Sequence, residues 1–477
     1  MNKSSSEISR AAVGASLSAQ LRDLRYRPFL VLVALGILLR MILMLAYFPA
    51  IMLHQDSQRY ARVGGWPMYS DFWMPAGYPM FLWLLRRLSN QLWFTIWIQH
   101  VLGLVTGTFF YLSMRRLGVV RAIACIPAAI PLLSGDRLYL EHTVMADHLL
   151  IFLTAGGLWA ATCGLVPNLS PRWLVIASTL LAMAALTRSV GVVPLPILVL
   201  TTSLWVKGSF RARGAALAAA LLPGMGVFAL YVGGFYFTHG QHLGLTDMSG
   251  WNLYARVAPF ADCGKFTPPD GTAILCDERP SSTRPGPFGY IWDPKNVAAN
   301  HFEPGPKTGR DLGEFAKRAI AHQPGDYVRS VLTDLVRFVD PAISPYRPGG
   351  GQPREILSFG WRDTAVEARV VQAMSRSYKG TNVRLHWQYL LAFYQNLSRP
   401  SGLILAMLLI LTVTGLVKAR GPIRLGIALF GLSAFGLYLI PVMTLSYMFR
   451  YGIPPETFIV ASGVLGAASR WPRLMCQ

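Results

Sequence analysis

Apolar residues run through this chain in long blocks separated by short basic or mixed-charge breaks. The first block extends from about Phe29 to Ile51, enough for the ~20 residues that cross a bilayer. Others run from about Leu92 to Met114, up to Leu133, from Thr143 to Cys163, from Trp173 to Thr187, through Pro194 and Pro196 to Trp205, and from Ala215 to Phe237. Three more lie near residues 402–417, 425–441 and 455–469. The pattern predicts an α-helical polytopic membrane protein of about ten transmembrane helices. The two blocks between Trp173 and Trp205 are short for a bilayer. Pro75 to Leu88, short and ending in Arg86-Arg87, reads as a helix at the outer interface, with Trp66, Trp73 and Trp83 suited to that depth.

The basic residues orient these blocks. Lys3, Arg10, Arg22, Arg25 and Arg27 precede the first span, and Arg115, Arg116, Arg121, Arg172, Lys207, Arg211, Arg213, Lys418, Arg420, Arg424, Arg470 and Arg473 fall in alternate breaks with few acids. Positive charge marks the cytoplasmic side. A multi-pass protein of the inner (plasma) membrane with both termini cytoplasmic is therefore expected. Its organisation reads as a cytoplasmic segment 1–28, a transmembrane module 29–237 with a first outer loop 52–91, an extracytoplasmic mixed domain 238–385, and C-terminal transmembrane helices 386–477. The outer domain is rich in Pro and Gly around 259–306, and Asp311 to Val339 has the apolar spacing of amphipathic helices broken near Pro324-Gly325. Gly135 to His142 is expected as an outer loop, where Asp136 has Arg137 beside it as a partner. The polar, basic first 28 residues do not read as a cleavable signal peptide.

Composition narrows the chemistry further. With 477 residues, 53% hydrophobic and 14% charged, the chain is too apolar for an ordinary soluble protein. Its net charge of +21 sits in clusters between apolar blocks rather than along one polar face, so nucleic acid is not an expected partner. The 5 cysteines show no CxxC or Cys/His metal spacing. Cys263 and Cys276 both fall in the outer domain, where oxidation is permitted, and are expected to form a disulfide. Cys125, Cys163 and Cys476 are expected to stay reduced. The sequence also lacks a GxxxxGK[ST] phosphate loop, HExxH, GxSxG and a metal-holding Asp-x-Asp, which argues against a soluble nucleotide substrate. No cofactor is predicted, a divalent metal is left open but not indicated, and the scatter of His54, His142, His148 and His386 fits ordinary polar roles.

Ionisable residues at a membrane boundary are costly to desolvate, and those retained there usually pair or bind something. Asp56 lies just beyond the first span, Glu141 and Asp147 flank the start of the fourth, Arg188 interrupts an apolar run, and Arg450-Tyr451 precedes Pro454-Pro455. A carboxylate such as Asp56 can take a proton from an attacking hydroxyl. Arg188 or Arg450 can grip a departing phosphate. Tyr60, Tyr78 and Tyr451 can hydrogen-bond sugar hydroxyls. The plainer readings are that Asp56 pairs with Arg59, that Glu141 and Asp147 are structural, and that Arg188 and Arg450 snorkel to the interface. Arg40, deep in the first span, has no role in this picture.

Asp56-Ser57 with Tyr60, Pro75-Ala76-Gly77-Tyr78-Pro79, Arg115-Arg116-Leu117-Gly118, Glu141 to Asp147, Leu186-Thr187-Arg188 and Arg450-Tyr451-Gly452-Ile453-Pro454 together resemble the GT-C superfamily. Within it, the chain is similar to bacterial phospholipid-carrier-dependent glycosyltransferases related to protein O-mannosyltransferases and aminoarabinose transferases. The likeness covers about residues 29–237 and 400–470. It implies transfer of a sugar from a polyprenyl-phosphate carrier to a cell-envelope glycan, lipid or protein acceptor on the outer side, usually with inversion. Asp56 then maps onto the base and Arg450 and Tyr451 onto the carrier phosphate, with Arg59, Tyr60, Tyr78, Glu141, Asp147 and Arg188 as further substrate contacts. Ser57 departs from the frequent Asp-Glu pair. The rival reading is a transporter or flippase for an anionic lipid or lipid-linked sugar. Against it stand the absence of a detectable internal repeat and the large one-sided outer domain.

Overall fold

The computed structural model describes residues 27–53, 55–61, 68–238, 243–293, 295–303, 305–343 and 357–475. The expectations for residues 1–26, His54, Trp66 and Cys476 lie outside the described residues.

Each apolar block of the sequence is helical. The first half runs α1 (Arg27–Ala46), β1 (Tyr47–Phe48), α2 (Gln55–Ala61), α3 (Gly77–Leu88), α4 (Leu92–Arg116), α5 (Arg121–Leu133), α6 (Gly135–Glu141), α7 (Ala146–Leu165), α8 (Pro171–Thr187), α9 (Pro194–Trp205) and α10 (Phe210–Thr238). The region after α10 carries α11 (Ser249–Val257), α12 (Pro287–Trp292), α13 (Val297–His301), α14 (Pro306–His322), α15 (Pro324–Val336), α16 (Thr364–Met374) and β2 (Arg384–Leu385). The chain then re-enters the bundle as α17 (Gln388–Leu397), α18 (Gly402–Lys418), α19 (Gly421–Thr444) and α20 (Phe449–Ala468).

Among the described residues, 6 helical segments are long and apolar enough to cross a membrane: α1, α4, α7, α10, the joined α17–α18 and α19. The α5–α6 pair, bent by 47°, makes up to 7 if it is one span. Burial separates the roles of these helices. Only 22% of the α1 span and 17% of the α17–α18 span are buried, leaving flanks for lipid, whereas 89% of α7 is enclosed at the centre. A helix apolar on all sides belongs either in lipid or in a core, and these helices occupy both places. At 17 residues, α8 is about 25 Å long, short of a ~30 Å hydrocarbon core, as its sequence suggests.

The structure departs from the expected outer loop at Gly135 to His142. All 7 residues of α6 are buried helix. Asp136 does not pair with its neighbour Arg137. It is gripped by Arg399, at 2.6 Å through both Nε and Nη2, and by Gln395 Nε2 at 2.7 Å. The acids that suggested an aqueous loop are instead neutralised inside the protein by partners far away in the chain.

The region between α10 and α17 contributes two things to the bundle. Residues 248–319 build a core around Trp251, Tyr254, Phe266 and Phe315, with α11 packed on α14 and the Cys263–Cys276 disulfide (Cα–Cα 5.9 Å) beside it. The helix break expected near Pro324-Gly325 falls between His322 and Pro324. Further along, α16 packs on α2, and β2 pairs antiparallel with β1 in the register Tyr47↔Leu385 and Phe48↔Arg384. The segment between α1 and α3 is thereby held between the bundle and the region that carries α16 and β2.

Candidate active site

The site begins with how α2 is fixed. Buried Ser57 donates its hydroxyl to the Val144 carbonyl at 3.0 Å, tying α2 to the turn between α6 and α7. The Ile51 amide donates to the His142 carbonyl at 2.8 Å, anchoring the approach to α2 on the same turn. Ser57, which stands where a second acid is frequent in the resembling family, is thus an anchor. Beside it Asp56 keeps a side chain 37% exposed.

The turn that receives these bonds rests on a buried polar network. Arg40, for which the sequence offered no role, sends Nε to Glu141 Oε2 at 2.9 Å and Nη2 to Glu141 Oε1 at 2.8 Å. Its remaining contacts are the carbonyls of Gly36, His100, Pro131 and Leu132, at 2.8–3.1 Å. His100 Nδ1 lies 3.0 Å from Glu141 Oε2, its Nε2 lies 3.0 Å from His142 Nδ1, and His142 Nε2 reaches the Tyr47 carbonyl. Gln99 donates to the Glu141 and Thr143 carbonyls at 2.8 and 3.0 Å. Gly103 of α4 leaves the room this needs, since a Cβ there would stand 2.1 Å from Glu141 Oε1.

Glu141 is therefore not at a substrate surface. It is fully buried and spends both oxygens on Arg40 and His100. Tyr78 is likewise behind the site: its buried hydroxyl donates to Gln99 Oε1 at 2.7 Å, and its ring supports Tyr60 edge-on with centroids 4.7 Å apart.

Asp56, Tyr60, Asp147, Arg188, Arg450 and Tyr451 come together. Arg450, in the first turn of α20, places Nη1 3.0 Å from Asp56 Oδ2 and also contacts the Met145 sulfur at 3.8 Å. Asp147, in the first turn of α7, is paired with Arg188. Its position near a helix N-terminus favours negative charge. Arg188 follows the last residue of α8 in extended conformation, before the 3-10 turn Ser189–Val192. Both guanidinium groups lie over the Tyr451 ring, Arg188 at 5.3 Å and Arg450 at 5.6 Å from its centroid. Tyr60 feels the charges of Asp56, Arg188, Asp147 and Arg450 together. Burial pushes its hydroxyl above the ordinary value, with Asp56 adding to the shift, so it stays a neutral hydrogen-bonding group.

Close approach of α3 to α8 brings Arg188 into this group. A Cβ on Gly77 would stand 2.4 Å from the Leu186 carbonyl oxygen, so the Pro75-Ala76-Gly77-Tyr78-Pro79 stretch needs glycine at its centre. The Ala76 amide donates to the Tyr231 hydroxyl of α10 at 3.1 Å. Arg59, one turn along α2 from Asp56, leaves the central group for the rim. It lies 3.6 Å from Asp71 and over the Trp73 ring, 4.4 Å from the centroid.

Sequence reasoning missed Asp334 as well. On α15 it meets Arg256 at 2.5 Å and Arg337 at 3.2 Å, and its Oδ2 accepts the Tyr447 amide at 3.1 Å. Helix α15 thereby holds the segment just before Arg450. Nothing in the local pattern of α15 distinguishes this acid from the solvated ones around it.

Two carboxylate–arginine pairs thus face one tyrosine ring, with one carboxylate accessible to solvent. Chemically, the group offers a proton acceptor and two cations with planar donor forks next to an apolar bundle. Among the described residues, no group of 3 or more His, Cys, Asp and Glu side chains is arranged to hold a metal ion.

No protein-family model matches the chain, and no curated protein matches it. Among solved structures the chain is similar to the oligosaccharyltransferase of Archaeoglobus fulgidus in the apo form, at 12% identity and a TM-score of 0.48, covering 95% of this chain and 51% of that one. It spans about half the length of that protein. It is also similar to ArnT from Cupriavidus metallidurans bound to undecaprenyl phosphate, at 15% identity and TM-score 0.35, and to the same protein in the apo state, at 15% and 0.34. Both ArnT comparisons cover 93% of this chain and 78% of that one.

Proposed function

We propose that the chain is a GT-C-type glycosyltransferase of the inner membrane, with its termini in the cytoplasm. In this reading it moves a sugar from a polyprenyl-phosphate carrier to a hydroxyl of a cell-envelope glycan, lipid or protein on the extracytoplasmic side. The supporting observation is the convergence of Asp56, Tyr60, Asp147, Arg188, Arg450 and Tyr451, drawn from four separate stretches of sequence, around one accessible carboxylate.

The chemistry follows from those groups. The acceptor oxygen attacks the anomeric carbon while Asp56 takes its proton, which requires the carboxylate within ~3 Å of that hydroxyl. The bond from the anomeric carbon to the phosphate oxygen breaks, and its electron pair leaves on the carrier phosphate. A single displacement of this kind inverts the anomeric centre. Arg188 and Arg450 meet the charge that grows on the leaving group, each able to hold two phosphate oxygens. Arg450 rests on Asp56 at 3.0 Å, and a phosphate competes for the same guanidinium. Donor binding then loosens Arg450 from Asp56 and leaves the carboxylate oxygen for the acceptor. Tyr60 and Tyr451 supply hydroxyl groups to the sugar, while Asp147 keeps Arg188 oriented.

The test is incubation of the purified protein with labelled polyprenyl-phosphate sugars. Time-dependent release of free carrier phosphate is the expected result. Intact donor across a panel of sugars and acceptors would remove the transferase reading.

A further inference from the structure

One aromatic feature lies outside this chemistry. Trp292, the last residue of α12, is 55% exposed although it is one of the largest apolar side chains of the outer region. Its ring stacks on that of Trp73 from the first outer loop, with centroids 4.9 Å apart and planes inclined by 23°. Trp73 is fixed in turn by Arg59 over its ring and by Asp71, whose Oδ1 accepts the Trp73 amide at 2.6 Å. Arg59 and Asp56 are i and i+3 neighbours on α2. An aromatic surface therefore runs outward from the carboxylate onto the outer region.

Polar chemistry adjoins that surface. Asp293 and Asn296, just after Trp292, line a cleft of about 460 Å³ together with Asp277, Arg279, Tyr254 and Tyr290. Carboxylates, a guanidinium, an amide and phenols around one cleft suit a ligand dense in hydroxyls. The faces of pyranose rings are apolar C–H surfaces that pack on aromatic rings, while their edges need hydrogen bonds. A tryptophan serving only as a membrane-interface anchor would be set among lipid-facing side chains. Trp292 instead stacks on Trp73, and its chain neighbour Asp293 lines the polar cleft.

We infer that Trp73 and Trp292 form a platform for the saccharide portion of the acceptor, delivering one of its hydroxyls to Asp56. This rests on the transferase reading of the Asp56 site and extends it by assigning a glycan-bearing acceptor. The platform is reached through Arg59, whereas the carrier phosphate is assigned to Arg188 and Arg450, so the two substrates use different neighbours of the carboxylate.

The test uses full-length protein in lipid nanodiscs. The probe is a mixture of short oligosaccharides released by mild acid from delipidated envelope polysaccharide of the source cells, and retained sugars are read by mass spectrometry. Wild type is expected to retain a subset, Trp292→Ala about fivefold less, and Trp292→Phe most of it, because one stacked ring contributes on the order of 1 kcal/mol. Retention by wild type and Trp292→Ala alike, or by neither, overturns the platform. Hydrolytic release of carrier in the absence of acceptor, in which water takes the sugar, is measured on the same preparations and is expected to be equal in wild type and Trp292→Ala. If release proceeds and Trp292→Ala transfers normally, the platform falls while the transferase reading stands. If no preparation releases carrier, the transferase reading falls, and retention alone decides the platform.

Discussion

Removing Glu141 from Arg40 is expected to be among the most damaging single changes in the bundle. Arg40 is 4% exposed and Glu141 is fully buried, so neither charge has water to turn to. Breaking a buried pair by removing one partner typically costs about 3–5 kcal/mol, because the other charge stays buried and uncompensated. Glu141→Gln keeps the side-chain volume and leaves Arg40 with carbonyl partners only. Arg40→Ala leaves Glu141 with His100 and strips donors from the Pro131 and Leu132 carbonyls at the end of α5. Each single variant is expected to lose about 3 kcal/mol or more, and the double variant less than the sum, with a coupling of about 2–3 kcal/mol. Reversible unfolding in mixed detergent–SDS micelles, followed by far-UV circular dichroism, measures all four proteins. Single variants within about 0.5 kcal/mol of wild type, or strictly additive losses, would show that the pair does not hold the turn beneath α2.

The remaining expectations concern separate parts of the molecule. Arg450→Ala should weaken carrier binding or slow its departure, and Arg188→Ala should do the same; Arg188→Lys controls for folding, because Asp147 is 1% exposed and loses its partner in the alanine variant. Unchanged donor affinity and rate in both would move the phosphate elsewhere. Mass spectrometry of non-reduced, alkylated protein should find Cys263 and Cys276 unlabelled and joined; closing so short a loop stabilises by about 3 kcal/mol in the chain-entropy model. Hydrogen bonds from Arg279 and Tyr290 hold Asp277 well below its ordinary value of 3.8. A depressed folded-state value means stability that is present above the ordinary range and is lost as pH falls through it. Asp277→Asn should therefore lower the melting temperature at neutral pH, with the gap to wild type closing in acid; a gap independent of pH would refute the assignment.

The sequence made the helices and the central group legible for physical reasons. Blocks of apolar residues have no stable alternative to helix in lipid, and unpaired charges at their ends stand out against that background. Asp56, Asp147, Arg188 and Arg450 were visible as singularities of this kind, and the fold brings them within reach of one another. Glu141 carried the same signal for a different reason, since its partner Arg40 lies 101 positions away and no local pattern couples them. Asp136 with Arg399, 263 positions apart, misled the reading of α6 in the same way. Asp334 was invisible because an acid on an amphipathic helix looks solvated until its tertiary partners are known. Trp292 lay in a Pro/Gly-rich stretch with no periodicity, and only the fold sets it against Trp73.

The most direct test of the account is Asp56→Asn in the carrier-release assay, with donor binding and folding measured on the same preparation. The substitution keeps shape, removes the proton acceptor and takes the negative charge away from Arg450, which favours phosphate there. Transfer is predicted to fall by about 10²–10⁴-fold, the span expected for loss of a general base, while the labelled donor binds at least as tightly as to wild type. Near-normal transfer by the folded variant would contradict Asp56 as the base and with it the assignment of this site.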